Sequence, residues 1–178
     1  MKRSDINPLP SNFAKYINLV ADVELAEAFD ESTRQLNELD KHLLESLDGK
    51  RYAPDKWTVT DILQHLADSD RIMSYQALML ARKDGSVRPG FDEKLHVQNA
   101  NAYNRTVPAL IEEIIIARAA TKSLFAGFDD ETLLRTAINW QYEISVLAMG
   151  FTIIGHQSHH LNIIEDRYYP LLESSNSL

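Results

Sequence analysis

The stretch Thr58-Val59-Thr60-Asp61-Ile62-Leu63-Gln64-His65-Leu66-Ala67-Asp68-Ser69-Asp70 is where the fold can first be read. Thr58 and Thr60 are each able to cap a helix through the hydroxyl oxygen. Beyond them, apolar residues recur at helical spacing to about Ala81, and Lys83-Asp84-Gly85 ends the run. At about 100° per residue, Ile62, Met73 and Leu80 share one stripe with His65, so the imidazole points inward. A lone inward histidine is more often a hydrogen-bonded core group than a ligand, and His65 alone decides nothing.

Three further helices flank this one. From Val23 to Leu47, Leu25, Phe29, Leu36, Leu39, Leu43 and Leu47 repeat at roughly helical spacing, and Gly49 is the natural left-handed stop. Thr106-Val107-Pro108 opens a third long helix that runs to Phe125, because proline is tolerated only in a first turn. The last helix extends from about Ser145 to Tyr168 and ends at Pro170. Residues 83–91 read as a loop, after which Asp92 restarts a helical piece from Glu93 to Asn104. A short turn covers Asp130 to Arg135, and 137–144 is a connection with room for a brief extended segment. Glycine and proline number six each and most fall between the periodic segments, which is helical punctuation. The expected class is all-α, a four-helix bundle with a long crossover connection carrying a short helix. Residues 1–20 are expected as an irregular lead-in, 21–172 as the bundle and 173–178 as a frayed tail.

The composition bounds the function. A chain of 178 residues, 44% hydrophobic and 25% charged, fits one soluble domain with a full core. Its 26 acidic against 18 basic residues give a charge of −8, which argues against non-specific nucleic-acid binding and against anionic membranes. Without cysteine there is no disulfide, thiolate metal site or cysteine nucleophile. No apolar signal core follows Met1 and no apolar run is long enough to span a bilayer, so a cytoplasmic protein with a small-molecule partner is expected.

The last helix changes the weight of His65. His156 and His160 lie four residues apart in a stripe with Met149, Ile153 and Ile164, and their Cβ atoms should be about 6 Å apart. His159 falls at the edge of that stripe, where a rim role suits it. Two neutral imidazoles buried together leave polar nitrogens to satisfy, which a divalent cation does by taking one from each ring. Three histidines match the ligand set of catalytic zinc. The competing readings are a histidine-rich surface of a frayed helix and a set of ordinary core groups. No His-Glu-x-x-His is present, because Gln157 follows His156.

Lys56-Trp57 with the stretch to Asp70, together with Gly155-His156-Gln157-Ser158-His159-His160-Leu161-Asn162-Ile163-Ile164, resembles the two histidine signatures of the DinB/YfiT-like superfamily. Gly90-Phe91-Asp92 resembles the entry to that family's linking helix, and the similarity covers roughly residues 25 to 170. The resemblance implies up-up-down-down connectivity, a homodimer, and one divalent ion, commonly nickel or zinc, on His65, His156 and His160. Its characterised members include thiol-dependent S-transferases and isomerases that use low-molecular-weight thiols. This chain has Asp70 where glutamate is frequent, and no thiol-binding motif. A metal-dependent thiol S-transferase is therefore placed slightly ahead of a hydrolase. A non-catalytic metal-binding or stress-associated bundle and a structural dimerisation module stand as alternatives.

Around such an ion, Asp61, Asp68 and Ser69 are candidate partners for the outer nitrogen of His65. Arg167 is placed to bind a substrate carboxylate or to compensate the helix dipole. Trp57, Trp140 and Tyr142 are candidates for a pocket mouth, and Asn99 and Tyr103 for an approach from a third side.

Overall fold

The computed structural model describes residues 1–86 and 90–173. The expected tail beyond Glu173 and part of the expected 83–91 loop lie outside the described residues. In chain order the helices are α1 (Ala14–Ile17), α2 (Leu25–Glu38), α3 (Lys41–Glu45), α4 (Val59–Ala81), α5 (Glu93–Ala100), α6 (Val107–Ala126) and α7 (Asp130–Leu133). Strands β1 (Thr136–Asn139) and β2 (Tyr142–Ser145) follow, then α8 (Val146–Ile163) and α9 (Pro170–Glu173).

The helix starts are set by side-chain caps. Thr58 accepts from the Asp61 amide at 3.1 Å while Asp61 accepts from the Thr58 amide at 2.9 Å. This reciprocal box satisfies two donors that the start of α4 leaves open. Thr106 caps α6, with Pro108 in the first turn, and Ser145 caps α8. A cap also divides the helix expected over Val23 to Leu47. Leu39 is extended and Asp40 restarts the chain as α3, accepting from the Leu43 amide at 3.0 Å. An aspartate side chain competes with helix continuation in this way. Gly49 does take the left-handed φ of 70° expected of it. Past α8 the chain makes a π-helical turn over Ile164–Tyr168, and Pro170 begins α9 rather than ending the helical region. The connection 137–144 is an antiparallel hairpin, Thr136 pairing with Ser145 and Asn139 with Tyr142.

Two hydrophobic clusters give the helix directions. One gathers Leu25 and Phe29 from the start of α2, Leu80 and Ala81 from the end of α4, Phe125 from the end of α6 and Val146 from the start of α8. The other gathers Leu36, Val59, Val107 and Ile164, from the opposite ends of the same four helices. Helices α2 and α8 thus run one way and α4 and α6 the other. Both α2 and α4 pack against α6 and α8, so chain-consecutive α2 and α4 occupy diagonal corners. The order is down-up-up-down, in place of the up-up-down-down order implied by the resemblance. The four-helix bundle and its long crossover are as expected, and the directions explain the crossover. Because α4 and α6 are parallel neighbours, the chain must travel back along about 35 Å, the length of a 23-residue helix at about 1.5 Å per residue. The connection that carries α5 makes that return.

Between the clusters lies a buried polar layer that ties the four helices together. Arg118 of α6 and Asp70 of α4, 2% and 1% exposed, pair at 2.7 Å. Arg118 also donates to Ser32 Oγ of α2 at 2.8 Å, Thr121 donates to Asp70, and Gln157 of α8 donates to the Ser32 carbonyl at 2.8 Å. A charge pair is tolerated here because its remaining hydrogen-bonding capacity is met from several sides.

The N-terminal segment differs from the irregular lead-in expected of it. Lys2 bridges to Glu24, the Ser4 amide donates to Asp22 Oδ1 at 2.8 Å, and Ile17 and Val20 are buried in the first cluster. Helix α1 lies directly on α8 at Gly155, where a Cβ would stand 2.0 Å from the Tyr16 carbonyl oxygen. Only a residue without a side chain permits that approach.

Candidate metal centre

His65 sits two turns into α4, and His156 and His160 face it one turn apart on antiparallel α8. All three are buried, at 2%, 6% and 9% exposure. His156 Nε2 lies 3.2 Å from His65 Nε2 and 3.2 Å from His160 Nε2. These are the three side chains, among the described residues, whose ligand atoms fall within 4.8 Å of one another.

The donor set fits a divalent cation. One lone pair on His156 Nε2 cannot accept well from two rings at once, so hydrogen bonding alone leaves the cluster poorly satisfied. Ligand nitrogens at about 2.0–2.1 Å from a tetrahedral ion stand roughly 3.4 Å apart, close to the spacing found. Burial, then repulsion from His96, pushes His65 down to about 4. Burial, then repulsion from His65, pushes His160 down to about 3. Burial likewise holds His156 well below its ordinary value, with the neighbouring imidazoles adding to the effect. At neutral pH all three rings are uncharged and carry the lone pairs that a cation needs. The buried His160 Nδ1 has no hydrogen-bond partner among the described residues.

The surroundings separate the other candidates. Trp57 stacks on His160 with ring centroids 6.1 Å apart at 18°, and lies tilted against His65 at 4.8 Å, walling off both rings. Ser69 Oγ is 3.4 Å and 3.5 Å from the two nitrogens of His65, so it faces the ring between them rather than along a lone pair. Asp61 is committed to its helix cap and stands 3.7 Å from Arg51. Asp68 accepts from Gln64 at 3.1 Å and lies 3.7 Å from Arg71, so neither aspartate turns to His65. His159 is at the rim, edge-on to Tyr16 at 5.3 Å and to His160 at 5.2 Å. Arg167 is exposed on the π-helical turn. Asn99 is turned to the Leu95 carbonyl at 2.7 Å, and Tyr103 is 75% exposed beside a different cavity that also reaches Trp57. Neither joins the three histidines.

Two cavities reach the cluster. One, of about 450 Å³, reaches Ser69 and His156, with Trp140 and Tyr142 in its wall as the sequence suggested. The second, of about 270 Å³, reaches His160 past Trp57 and Tyr168. Glu93, at the start of α5, borders both. Phe13, Tyr16, Phe91, Glu93 and His96 are absent from the sequence-based candidates. Glu93-Lys94-Leu95-His96 is a Glu-x-x-His spacing on one helix turn, and it is the local signal that marks α5.

A helical bundle in which three neutral imidazoles converge between two helices defines a class of candidate metalloprotein. The family model of the DinB superfamily matches residues 23–164, and the chain belongs to that superfamily. Its fold is similar to that of YfiT from Bacillus subtilis, described as a probable metal-dependent hydrolase with an unusual four-helix bundle topology. The two are 17% identical, the match covers 89% of this chain and 87% of that one, and the TM-score is 0.67. No curated protein matches the sequence. No helix among the described residues is long and apolar enough to cross a membrane.

Proposed function

We propose that this chain is a metal-dependent hydrolase in which His65, His156 and His160 hold one divalent ion. The observation that carries the reading is the convergence of three Nε2 atoms, 3.2 Å apart about His156, which itself lines a substrate-sized cavity. Bound there, the ion supplies Lewis acidity, polarising a carbonyl or phosphoryl oxygen and making water a stronger acid. The chain's own groups do the rest. The histidines, uncharged at neutral pH, need no deprotonation before they bind. Trp57 excludes water from the faces of His65 and His160, which keeps the local dielectric low. Glu93 stands across the cavity and outside the cluster of converging ligand atoms. As the first residue of α5, bordering both cavities, it accepts a proton at its side-chain oxygen from water entering either one.

Thiol transfer is the second reading, favoured by one observation: two separate cavities, one reaching His156 and one His160, leave room for two substrates. The larger cavity has acidic Asp92 and Glu93 as its charged lining, which suits water better than a carboxylate-bearing thiol. Zinc and nickel are both compatible with imidazole ligands.

Metal analysis after native purification and after reconstitution with zinc or nickel, followed by turnover assays, tests the reading. Ester and amide panels without thiol should give metal-dependent product, and electrophile panels should show no dependence on added thiol. Glu93→Gln should keep the metal and lose most turnover, whereas His160→Ala should lose the metal. Less than a tenth of an ion per chain after reconstitution removes the metalloenzyme proposal. Product only with thiol replaces hydrolysis by transfer.

A further inference from the structure

The larger cavity is walled by aromatic side chains drawn from three separate segments: Phe13 and Tyr16 from the N-terminal segment, Phe91 from the entry to α5, and Trp140 and Tyr142 from the hairpin. Met73 and Met149 on the bundle helices complete its apolar lining, and His156 closes the inner end. The rings meet edge to face: Phe13 on Tyr142 at 5.9 Å, Trp140 on Tyr142 at 5.6 Å, and Tyr16 on His156 at 5.3 Å. Edge-to-face contacts leave flat ring faces for a further aromatic partner.

Trp140 carries a separate observation. It occupies the left-handed region at φ 56°, a conformation that bulky residues avoid, and it is 52% exposed. Neither packing nor turn geometry calls for tryptophan there, since glycine or asparagine would form the turn without strain. The indole covers Gly90, where a Cβ would stand 3.1 Å from Trp140 Cε2 and 3.2 Å from Nε1, so the backbone at 90 is kept bare to admit the ring. Strain of this kind accumulates where a structure positions a side chain for binding. The charge pattern narrows the occupant. Among the described residues no lysine or arginine lines the cavity, and Asp92 and Glu93 give its mouth negative charge.

We propose that this cavity is a subsite for a flat aromatic group without negative charge, presented by the substrate to the ion-binding end of the pocket. The inference rests on the hydrolase reading for the word substrate, but the subsite itself stands on the lining. It also divides the molecule. The family match begins at residue 23, so Phe13 and Tyr16 come from a segment outside it. Selectivity is therefore set by the N-terminal segment, the crossover and the hairpin, and ion binding by α4 and α8.

Calorimetric titration of the full-length zinc-loaded protein tests this without turnover, using three probes of similar size. These are 2-naphthylmethanol (flat, neutral), decahydro-2-naphthol (saturated, neutral) and 2-naphthoate (flat, anionic). The neutral flat alcohol should bind at least tenfold more tightly than either of the others. Trp140→Gly, which relieves the left-handed strain and so preserves the fold, should weaken 2-naphthylmethanol about tenfold. Phe13→Leu, which keeps apolar volume but removes a ring, should weaken it severalfold. Equal affinity for the saturated alcohol, tighter binding of the naphthoate, or an unchanged Trp140→Gly variant overturns the proposal. A protein that binds 2-naphthylmethanol selectively yet cleaves no ester keeps the subsite and loses the hydrolase reading. One that cleaves alkyl and naphthyl esters alike while showing no probe preference does the reverse.

Discussion

Replacing Gly155 by alanine isolates the contact that makes the N-terminal segment part of the pocket. The added Cβ would lie 2.0 Å from the Tyr16 carbonyl oxygen and 2.5 Å from its carbonyl carbon, both backbone atoms that no rotamer change can move. Ordinary contact begins at 3.4 Å, so α1 must retreat by about that difference or come away from α8. Accommodating one misplaced carbon in a packed interface costs about 1–3 kcal/mol. Detaching α1 would expose Ile17 and Val20, at about 1.5–3 kcal/mol for each side chain, which sets a ceiling of roughly 6 kcal/mol. The expected loss is about 3 kcal/mol, or about 6–12 °C in Tm for a domain of this size. Urea unfolding followed by circular dichroism measures the loss, and limited proteolysis reads the release of residues 1–20. Zinc affinity should change little, because the three ligand rings belong to α4 and α8. A Gly155→Ala variant with the parent's urea midpoint and an equally protected N-terminus would refute the close approach and the pocket wall built on it.

Three further outcomes follow from groups already described. His65 and His160, pushed down to about 4 and about 3, bind protons in the unfolded chain before they do so in the folded one. The metal-free protein should therefore be most stable above about pH 6.5 and lose stability progressively as the pH falls toward 4. For the same reason zinc affinity, measured by chelator competition, should differ by less than about threefold between pH 7.5 and 5.5; a loss of several hundredfold would mean histidines with ordinary basicity. Arg118→Met leaves Asp70 buried and unpaired and should cost about 3–5 kcal/mol in denaturant unfolding. The double variant Asp70→Leu/Arg118→Met should recover much of that loss, and a double variant no better than the single would show that the pair is not the source.

What could be read ahead of the fold was local, and what could not was relational. Thr58, Thr106 and Ser145 mark their helix starts because a cap and the helix it opens are neighbours in sequence. His156 and His160 were legible as a pair because four residues is one turn. Joining His65 to them needed the inward face of a second helix and the family signature, and both led to the cluster that the structure contains. The directions of the helices were not legible, since they depend on which ends meet in the two hydrophobic clusters. Asp40 lies inside a leucine repeat that continues through it, so periodicity hid the break. The hairpin was concealed because its left-handed residue is a tryptophan instead of the glycine or asparagine that announces such turns. Glu93 and the Phe13, Tyr16 and Phe91 part of the ring wall were missed because those residues reach the cavity from the N-terminal segment and the connection, far in sequence from the histidines.

Parallel neighbouring helices oblige the polypeptide to retrace its path over the outside of the bundle, and here that path passes the mouth of both openings. A hairpin between α4 and α6 would have left this flank bare. The wiring thus provides a cover that is separate in sequence from the two helices beneath it, so a substitution that alters entry need not touch the residues placed to hold the ion.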